Sequence, residues 1–268
     1  MSSTARPGVP GKKAVFITGA ASGIGRAAAI LFAERGWFVG LYDVDGEGLS
    51  ATRRALPPAS ACDGVLDVTD LAAFRAAVDA FAAASGGRMD ALFQSAGVLD
   101  MGLFADIPPE RATRMIDINV RGVVHGVYAA LPLLERTGRA TIVTMGSGSA
   151  VYGTPEFAVY SGTKFFVRGL TEALDIELRR RGVRVVDVMP LYVATPMIEK
   201  AAHKARSMQT LGVHLRAEDV ARLVVDAAES PPRGSPHVIP QGNVKLLRLL
   251  TGLFPVSGRY LQRLFARL

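Results

Sequence analysis

The sequence predicts an α/β fold in which one parallel sheet is covered by helices on both of its faces. Short, continuous apolar runs alternate along the chain with longer stretches rich in Ala and Leu. Strands that are buried on both faces form continuous apolar runs, and their alternation with helices is typical of doubly wound parallel sheets. No internal repeat or interdomain linker interrupts this alternation, so we expect the 268 residues to form a single domain.

The predicted elements follow one another in the order strand, helix, strand. A glycine-rich turn separates the first strand from the first helix, and Gly36 ends that helix, as glycine commonly does. Strands are predicted at Ala14–Thr18, Phe38–Tyr42, Gly64–Leu66, Ala91–Gln94, Thr141–Met145, Val183–Met189 and His237–Ile239. Helices are predicted at Ile24–Arg35, Gly46–Ala55, Leu71–Ala84, Arg111–Glu135, Tyr160–Arg181 and Ala217–Ala228.

The composition excludes several classes of protein. No apolar run reaches the roughly 18 residues that a membrane-spanning helix needs. Residues 1–12 do not resemble a secretory signal, and we interpret them as a disordered lead-in. The single cysteine, Cys62, cannot form an intramolecular disulfide, and we interpret it as a small packing side chain rather than a reactive thiol. These features favour a cytoplasmic protein.

The net charge of +7 does not indicate nucleic-acid binding, because the basic residues are spread along the chain without a Lys/Arg-rich block. Five of them fall within residues 245–268, which hold no acidic residue. Apolar residues recur there at helical spacing, namely Tyr260, Leu261, Leu264, Phe265 and Leu268. Residues 243–268 are therefore predicted to be a basic amphipathic tail. Residues 245–268 would contact an anionic membrane surface, their own domain or a neighbouring subunit.

The turn after the first predicted strand has the composition of a phosphate-binding loop. Its sequence is Thr18-Gly19-Ala20-Ala21-Ser22-Gly23-Ile24-Gly25. Glycines permit a tight turn and let backbone amides approach a pyrophosphate, and the following helix presents free N–H groups and the positive end of its dipole. In its strand–turn–helix context the motif predicts a dinucleotide site, the alternative being a plain turn.

Asp43 ends the second predicted strand, 18 residues beyond Gly25. A carboxylate there accepts hydrogen bonds from the adenosine ribose hydroxyls and repels a 2′-phosphate. No Lys or Arg occurs in the next four positions, and Ser22 before Gly23 is not basic either. The sequence therefore favours NAD over NADP, unless Asp43 merely begins a turn.

Tyr160 and Lys164 stand four residues apart at the start of a predicted helix, which places them on one face. An adjacent ammonium lowers the pKa of a tyrosine, so the pair predicts an acid/base tyrosine, although the bare pair could also be a solvated helix edge. Ser147 follows a predicted strand, where ligands bind in open α/β sheets. Asn119 lies inside a predicted helix, where it either has a structural role or holds a water or a bend near the site.

Taken together, these motifs resemble those of the short-chain dehydrogenase/reductase family in its compact, single-domain form, over about residues 12–242. Beside the glycine-rich turn, the resembling segments are Asp67-Val68, Ser95-Ala96-Gly97, the tetrad Asn119, Ser147, Tyr160 and Lys164, and Pro190 through Thr195. The resemblance implies a Rossmann-type dehydrogenase domain over residues 13–242. It implies that NAD contacts Gly19, Ser22, Gly23, Ile24, Gly25, Asp43, Asp67, Val68, Ala96, Gly97, Tyr160, Lys164, Pro190, Val193 and Thr195.

The resemblance also implies a role for each member of the tetrad. Tyr160 would exchange the hydroxyl proton, and Ser147 would hydrogen-bond the substrate oxygen. Lys164 would lower the pKa of Tyr160 and hold the nicotinamide ribose, while Asn119 would support a proton-relaying water. Val193 and Thr195 would orient the nicotinamide carboxamide.

Three positions depart from the family pattern. Gln94 stands where the family usually has Asn, so strand pairing or the cofactor contact is expected to shift. Gly146 replaces a frequent Ser before Ser147 and is expected to loosen that loop. Leu191 follows Pro190 where Gly is usual, so its side chain would crowd the nicotinamide or line the substrate pocket.

The sequence gives less information about the substrate site than about the cofactor site. Residues Leu191–Leu215 form a long connection of the kind that often acts as a lid. An apolar pocket wall is expected from Leu103, Phe104, Val151, Tyr152 and Tyr192, with ordinary packing as the alternative. Such a wall favours a hydrophobic secondary alcohol or ketone as the small-molecule substrate.

Two further expectations concern function and assembly. A non-catalytic NAD-binding sensor is the alternative function, although it would not need the intact Tyr160 and Lys164. A homodimer or homotetramer is implied by the family's habit of pairing the helices that correspond to Arg111–Glu135 and Tyr160–Arg181. No metal site is expected, because the four histidines show no ligand spacing and no cysteine cluster exists.

Overall fold

A computed structural model describes residues 11–199, 201 and 203–253 of the chain. The predicted lead-in lies outside the described residues up to position 10. The apolar stripe predicted at Tyr260–Leu268 also lies outside them, and only residues 243–253 of the predicted tail are described.

The described part of the chain alternates strands and helices as predicted. The strands are β1 Ala14–Thr18, β2 Phe38–Asp43, β3 Ala61–Val65, β4 Ala91–Gln94, β5 Ala140–Met145, β6 Val183–Val188, β7 Val193–Ala194, β8 Leu215–Arg216 and β9 His237–Val238. The helices are α1 Gly23–Glu34, α2 Gly46–Arg54, α3 Leu71–Ala84, α4 Pro109–Ile116, α5 Gly122–Thr137, α6 Ala158–Arg179, α7 Pro196–Glu199, α8 Arg206–Leu211, α9 Ala217–Glu229 and α10 Gly242–Leu253.

Seven of these strands form one parallel sheet in the order β3-β2-β1-β4-β5-β6-β9. The strand order reverses between β1 and β4, and this reversal opens a crevice at the carboxyl ends of the strands. The prediction of a single-domain, doubly wound α/β fold is confirmed. A second, two-stranded sheet joins β7 to β8 within the connection that follows β6.

The sheet separates two apolar layers, because successive side chains of a strand point to opposite faces. On β1, Val15 and Ile17 pack with Phe32 of α1 and Val224 of α9. Phe16 points the other way and stacks on Tyr42 with ring centroids 4.0 Å apart. The central strands β1, β4 and β5 are buried at every position, so the packed layers fix them and their carboxyl ends can position a site.

The predicted helical stretch Arg111–Glu135 is helical throughout but is not one uniform α-helix. Helix α4 ends at Ile116, residues Asp117–Arg121 form a π-helical turn, and α5 begins at Gly122. A π turn widens the helix by one residue, and such turns are frequent at functional sites. Asn119 lies at the centre of this turn.

The remaining corrections are small. Strand β3 begins at Ala61 rather than Gly64, and α6 runs from Ala158 rather than Tyr160. Cys62 lies in β3 with its Sγ 3.9 Å from the Tyr42 hydroxyl, and burial raises the pKa of the thiol to about 11. The thiolate, which is the reactive form, is therefore disfavoured. Among the described residues, no helix has the length and apolar character needed to cross a membrane.

Candidate active site

A cleft of about 520 Å³ opens at the carboxyl ends of the central strands. It begins at Gly19 after β1 and extends past Ser147 after β5 to Pro190 after β6. All of the catalytic and cofactor-binding residues predicted from the sequence line it except Gly25 and Asn119. Predicted residues as far apart in the sequence as Gly19 and Thr195 thus surround one cavity, as the topology of an open parallel sheet predicts.

The glycine-rich turn is held by close contacts between backbone atoms. Gly19 has a φ of +72°, and a Cβ there would lie 2.6 Å from the nitrogen of Ala96. A Cβ on Gly25 would lie only 2.0 Å from the carbonyl oxygen of Gly19. Gly25 therefore lets α1 pack against the turn rather than lining the cleft, and the amino end of α1 faces the cavity at Gly23 and Ile24.

Asp43 is fixed at the end of β2 by two backbone amides. Its Oδ2 accepts a hydrogen bond of 3.1 Å from the nitrogen of Ala21, and its Oδ1 accepts one of 3.1 Å from the nitrogen of Asp45. The bond to Asp45 begins a turn, which was the alternative role considered for Asp43. The bond to Ala21 ties the carboxylate to the glycine-rich turn. The carboxylate also lines the cleft.

A second acid stands beyond β3. Asp67 accepts hydrogen bonds from the nitrogen of Thr69 at 2.9 Å and from its hydroxyl at 2.8 Å, and these bonds hold the pKa of the carboxyl below its ordinary value. Arg114 of α4 also lines this part of the cleft, and its charge lowers the pKa of Asp67 further. The sequence analysis missed Arg114, since no motif marks an arginine on that helix.

Asn119 is buried next to the cleft and ties two segments together. Its Oδ1 accepts from the nitrogen of Val98 and its Nδ2 donates to the oxygen of Val98, both at 2.9 Å. Its Nδ2 also lies 3.4 Å from the hydroxyl of Thr163 on α6. The side chain thus holds the segment after β4 against α6, and the π turn places it there.

Ser147, Tyr160 and Lys164 meet on one wall of the cleft. Ser147 caps a short 3₁₀ turn, and its Oγ lies 2.9 Å from that of Ser149. Lys164 is 6% exposed, its Nζ donates to the oxygen of Met145 at 2.8 Å, and it lies 5.4 Å from the centroid of the Tyr160 ring. A hydroxyl, a phenol and an ammonium therefore converge at the end of β5.

The pKa of Tyr160 departs from expectation. Burial raises it to about 12, and a hydrogen bond with Ser147 acts in the opposite direction. Burial also lowers the pKa of Lys164 to about 8, against the attraction of Asp187. Desolvation of the phenol therefore outweighs the lowering of the tyrosine pKa that a nearby ammonium would produce.

Comparison with known proteins identifies the family to which the chain belongs. A family model described as short chain dehydrogenase matches residues 13–206. The chain belongs to the short-chain dehydrogenase family. It is 32% identical over 219 residues to the 3-oxoacyl-(acyl-carrier-protein) reductase FabG of Thermotoga maritima, covering 80% of this chain and 89% of that protein. It is also 32% identical over 237 residues to a 3-alpha-(or 20-beta)-hydroxysteroid dehydrogenase of Mycobacterium tuberculosis, covering 87% and 89%.

Solved structures support the same assignment. The 3-ketoacyl-(acyl-carrier-protein) reductase of Brucella melitensis, complexed with NADH, matches with a TM-score of 0.79 and 26% identity over 87% of this chain and 98% of that chain. ElxO with NADP bound matches with a TM-score of 0.76 and 25% identity over 85% and 96%. Similar short-chain dehydrogenases thus bind either NADH or NADP, and the choice depends on the residues around the adenosine ribose.

The three departures from the family pattern have structural explanations in this dehydrogenase. Gln94 is buried, donates from Nε2 to the oxygen of Val123 at 2.8 Å and accepts from the Thr144 hydroxyl at 3.0 Å. Its longer side chain fits because Gly126 has no Cβ, which would lie 2.2 Å from that Nε2. Gln94 therefore braces β4 against α5 and β5, and the β4 pairings remain in register.

Gly146 and Leu191 also differ from expectation in detail. A Cβ on Gly146 would lie 2.8 Å from Cγ of Met189, so the loop is tightly packed rather than loosened. Leu191 lines the cleft, as predicted, and its Cδ1 lies 2.9 Å from the position of a Gly148 Cβ. Its backbone nitrogen donates to Gln241 at 2.9 Å, which fixes the start of the connection after β6.

The predicted apolar wall is largely wrong. Of its five members, only Tyr192 lines the cleft. Val151 and Tyr152 pack with Met189 and Ile239, because the 3₁₀ turn Gly148–Ala150 directs them away from the cavity. Phe104 is 69% exposed, and Leu103 lines a neighbouring cavity of about 860 Å³. The apolar residues that do line the cleft on this side are Leu99, Phe157, Leu191, Tyr192, Met197 and Ile198.

The connection after β6 folds over the cleft of the dehydrogenase. It contains β7, α7, α8 and β8. The hydroxyl of Tyr192 lies 2.7 Å from that of Ser207, and both groups are buried. The carboxylate of Glu156 accepts from Nε2 of His203 and from the nitrogen of Arg206, both at 2.7 Å. Glu156 thus fastens this segment to the loop that precedes α6, and the Tyr192–Ser207 contact holds the segment together.

Proposed function

We propose that this short-chain dehydrogenase transfers a hydride between NAD(H) and a hydrophobic secondary alcohol or ketone, with Tyr160 as the acid/base. The observation that carries the proposal is the convergence of Ser147, Tyr160 and Lys164 on one wall of a cleft whose opposite end carries the glycine-rich turn and Asp43. Acid/base groups and a nucleotide cradle in the same cavity fit an oxidoreductase better than a nucleotide sensor.

The cleft has the groups that a nicotinamide dinucleotide needs. The pyrophosphate would lie on the glycine-rich turn, whose backbone contacts leave no space for side chains at Gly19 and Gly25. The ribose hydroxyls would bind Asp43, and the adenine would lie beside Asp67 and Val68. The nicotinamide end would be held by residues that line the far end of the cleft, namely Ala96, Gly97, Lys164, Pro190, Val193 and Thr195.

When bound, the nicotinamide ring would supply or accept the hydride. In the direction of ketone reduction, the Tyr160 hydroxyl donates its proton to the substrate oxygen, and in oxidation the same oxygen removes it. The Ser147 hydroxyl donates a hydrogen bond to the substrate oxygen and stabilises its developing charge. Lys164 supplies a positive charge beside the phenol, and Asn119 keeps the segment after β4 in contact with the catalytic helix.

The proposed substrate class rests on the residues around the catalytic wall. Leu99, Phe157, Tyr192, Met197 and Ile198 give that side of the cleft an apolar surface. Burying apolar area of a ligand against such side chains is the main source of its affinity. The similarity to a hydroxysteroid dehydrogenase is consistent with a bulky, apolar alcohol.

Cofactor binding tests the proposal first. The wild-type protein and the Asp43→Ala variant are each titrated with NADH and with NADPH, and binding is followed by the nicotinamide fluorescence. We expect the wild type to bind NADH tightly and NADPH weakly. In Asp43→Ala the difference between the two affinities should be smaller, because the carboxylate no longer repels a 2′-phosphate. Preference of the wild type for NADPH would contradict the role of Asp43, and binding of neither nucleotide would remove the basis of the proposal.

Turnover separates the enzyme from the sensor. A panel of hydrophobic secondary alcohols is assayed with the preferred nucleotide, and Tyr160→Phe serves as the matched variant. Loss of acid/base catalysis should lower kcat by about 10² to 10⁴-fold while nucleotide binding is retained. If the wild type and Tyr160→Phe both bind nucleotide and neither oxidises any alcohol nor reduces any matching ketone, the sensor becomes the better account.

We also propose that the dehydrogenase forms a homodimer or homotetramer through α5 and α6. Both helices carry large, exposed apolar side chains, with Ile176 76%, Tyr128 67%, Phe165 41% and Phe166 38% exposed. Exposed apolar groups of this size are typical of subunit contacts. Ile176→Glu should shift the sedimentation coefficient towards the monomer, whereas a sedimentation coefficient that is monomeric already in the wild type would contradict the assembly.

A contact of residues 245–268 with membrane surfaces stays a prediction. On the described part of α10, Leu246 and Leu249 are exposed beside Lys245. An apolar and basic surface of this kind favours anionic bilayers. Removing residues 245–268 should abolish co-sedimentation with anionic liposomes, and unchanged lipid binding would end the idea.

A further inference from the structure

Behind the catalytic wall lies a buried cluster of charged side chains that the proposed chemistry does not use. Asp187 of β6 is completely buried, and its Oδ1 lies 2.7 Å from Nδ1 of His237 on β9. Nε2 of His237 lies 2.8 Å from Oε1 of Glu172 on α6, and Arg168 donates to the same oxygen at 3.2 Å. The cluster therefore runs from the centre of the sheet to the surface of α6.

The inner end of this cluster lies next to the strand end that holds Lys164. Asp187 pairs with Thr144 in the β5–β6 register, one residue before Met145, whose oxygen accepts from Lys164 Nζ at 2.8 Å. The Cβ of Asp187 lies 3.5 Å from the position of a Gly146 Cβ, which puts its side chain beside the Met145–Gly146 segment. Asp187 and Lys164 thus approach the same short piece of backbone.

One oxygen of Asp187 has no hydrogen-bond partner within the part of the chain that the structure describes. Its Oδ2 is buried and accepts no hydrogen bond from any described residue. A buried carboxylate without compensation is costly, so its negative charge must be balanced by nearby cations. Lys164, which is itself 6% exposed, is a cation of the catalytic group whose charge interacts with this carboxylate.

The other groups that face Asp187 come from three elements. His237 of β9 donates or shares a proton at Oδ1 of Asp187. Arg168 of α6 and Arg248 of α10 add positive charge near the carboxylate. Glu172 of α6 contacts the other ring nitrogen of His237. Burial raises the pKa of Asp187 above its ordinary value, and the hydrogen bond and charge of His237 with the charges of Arg248 and Arg168 offset part of that rise. The surrounding cations therefore favour the ionised carboxylate against its desolvation.

We propose that Asp187, held by His237, is a positioning residue that keeps the Lys164 ammonium charged at the end of β5. This inference rests on the proposed function, because it gives Lys164 the charge that supports the Tyr160 phenol. Burial favours the neutral amine and opposes that role. A fixed negative charge on the neighbouring strand offsets the burial without contacting the substrate, and the histidine prevents the carboxylate from turning away.

The test follows the ammonium itself rather than turnover. The chain has six lysines, so the ¹³Cε signals of labelled lysine can be resolved, with Lys164→Met identifying the signal of Lys164. The wild-type signal should titrate with a midpoint near pH 8, because burial lowers the pKa of Lys164 to about 8. In Asp187→Asn, the midpoint should fall by about one pH unit or more, since an opposite charge has been removed. A fall of one unit lowers the charged fraction at pH 8 about fivefold.

Two further variants make the result decisive. Asp175→Asn changes another buried acid of this chain, which accepts from Arg179, Arg184 and the nitrogen of Val185, and it should leave the Lys164 midpoint unchanged. If Asp187→Asn does not fold, the paired change of Asp187→Leu with His237→Phe removes both partners without leaving one unpaired, and it should also lower the midpoint.

The outcomes separate this inference from the proposed function. An unchanged midpoint in folded Asp187→Asn, or an equal fall in Asp175→Asn, overturns the role of Asp187 whatever the activity of the wild type. A lowered midpoint in a protein that oxidises no alcohol and reduces no ketone supports the electrostatic link and overturns the proposed function instead. Where alcohol oxidation is found, its rate at pH 8 should fall in Asp187→Asn by about the same fivefold factor.

Discussion

The two ends of the cleft are built in different ways. At the nucleotide end, strands β1, β2 and β4 pair over four or five residues each, and the glycine-rich turn is fixed by contacts between backbone atoms. At the substrate end, β7 and β8 pair through only two residues, and side-chain hydrogen bonds of Glu156 and Tyr192 hold the segment. One end is therefore specified by the backbone of the sheet and the other by individual side chains.

This difference indicates how the two ends can change. A dinucleotide cradle made of backbone amides tolerates few substitutions, because a single Cβ fills the space that the turn requires. A lid that is held by hydrogen bonds between side chains can open locally at a small cost in free energy. Glu156, which holds the substrate end, also has an unusual backbone conformation. Its φ is +65°, a value that is uncommon for a residue other than glycine, Asn or Asp.

Of the changes that test this comparison, Gly25→Ala should have the largest effect. The new Cβ would lie 2.0 Å from the Gly19 oxygen, and a backbone atom cannot move aside as a side chain can. We expect a loss of about 3 kcal/mol in the free energy of unfolding, at least a tenfold weaker NADH affinity, and a melting temperature lower by about 6–12 °C. Differential scanning fluorimetry and NADH titration measure these effects.

Gly169→Ala is the matched control, because Gly169 lies within α6 and, among the described residues, no atom beyond its own stretch of helix stands within 4 Å of its Cβ position. Alanine favours a helix interior over glycine by about 1 kcal/mol, so this variant should be as stable as the wild type or more stable. Equal NADH affinity in Gly25→Ala and the wild type would show that the turn does not depend on that backbone contact.

The same contrast explains what the sequence could predict. The strands, the glycine-rich turn and Asp43 follow from periodicity and local composition, which report directly on a sheet buried on both faces. The π turn around Asn119 does not, because a single widened turn leaves the apolar periodicity of the helix almost intact. Only the presence of Asn inside an apolar helix hinted at it.

The substrate end escaped prediction for a different reason. Val151 and Tyr192 are both buried, and Val151 stands only four residues after Ser147, yet only Tyr192 lines the cleft. The direction of each side chain depends on short turns, such as Gly148–Ala150, that no periodic pattern encodes. Asp187 and His237 stand 50 residues apart, and only the pairing of β6 with β9 brings them together.

Glu156→Ala should release the substrate end and leave the nucleotide end unchanged. The carboxylate accepts from His203 and from the nitrogen of Arg206, and hydrogen bonds to a charged group contribute about 1.5–3 kcal/mol. Amide hydrogen exchange across residues 206–212 should therefore become about tenfold faster or more, while residues 14–34 exchange as in the wild type. Glu156→Gln keeps an accepting oxygen and should show a smaller increase. Slow exchange of residues 206–212 in Glu156→Ala would mean that other contacts hold the lid.

Tyr192→Phe should give the smallest effect, because it removes only one neutral hydrogen bond within a well-packed cluster. The Ser207 hydroxyl loses its partner at 2.7 Å and stays buried, so exchange across residues 206–212 should rise about two- to fivefold. Adding Ser207→Ala to Tyr192→Phe should reverse much of that rise, since replacing both partners by apolar groups leaves no unsatisfied hydroxyl. Additive effects of the two changes would instead mean that each hydroxyl has another partner, and the substrate end would then depend on more than these side-chain pairs.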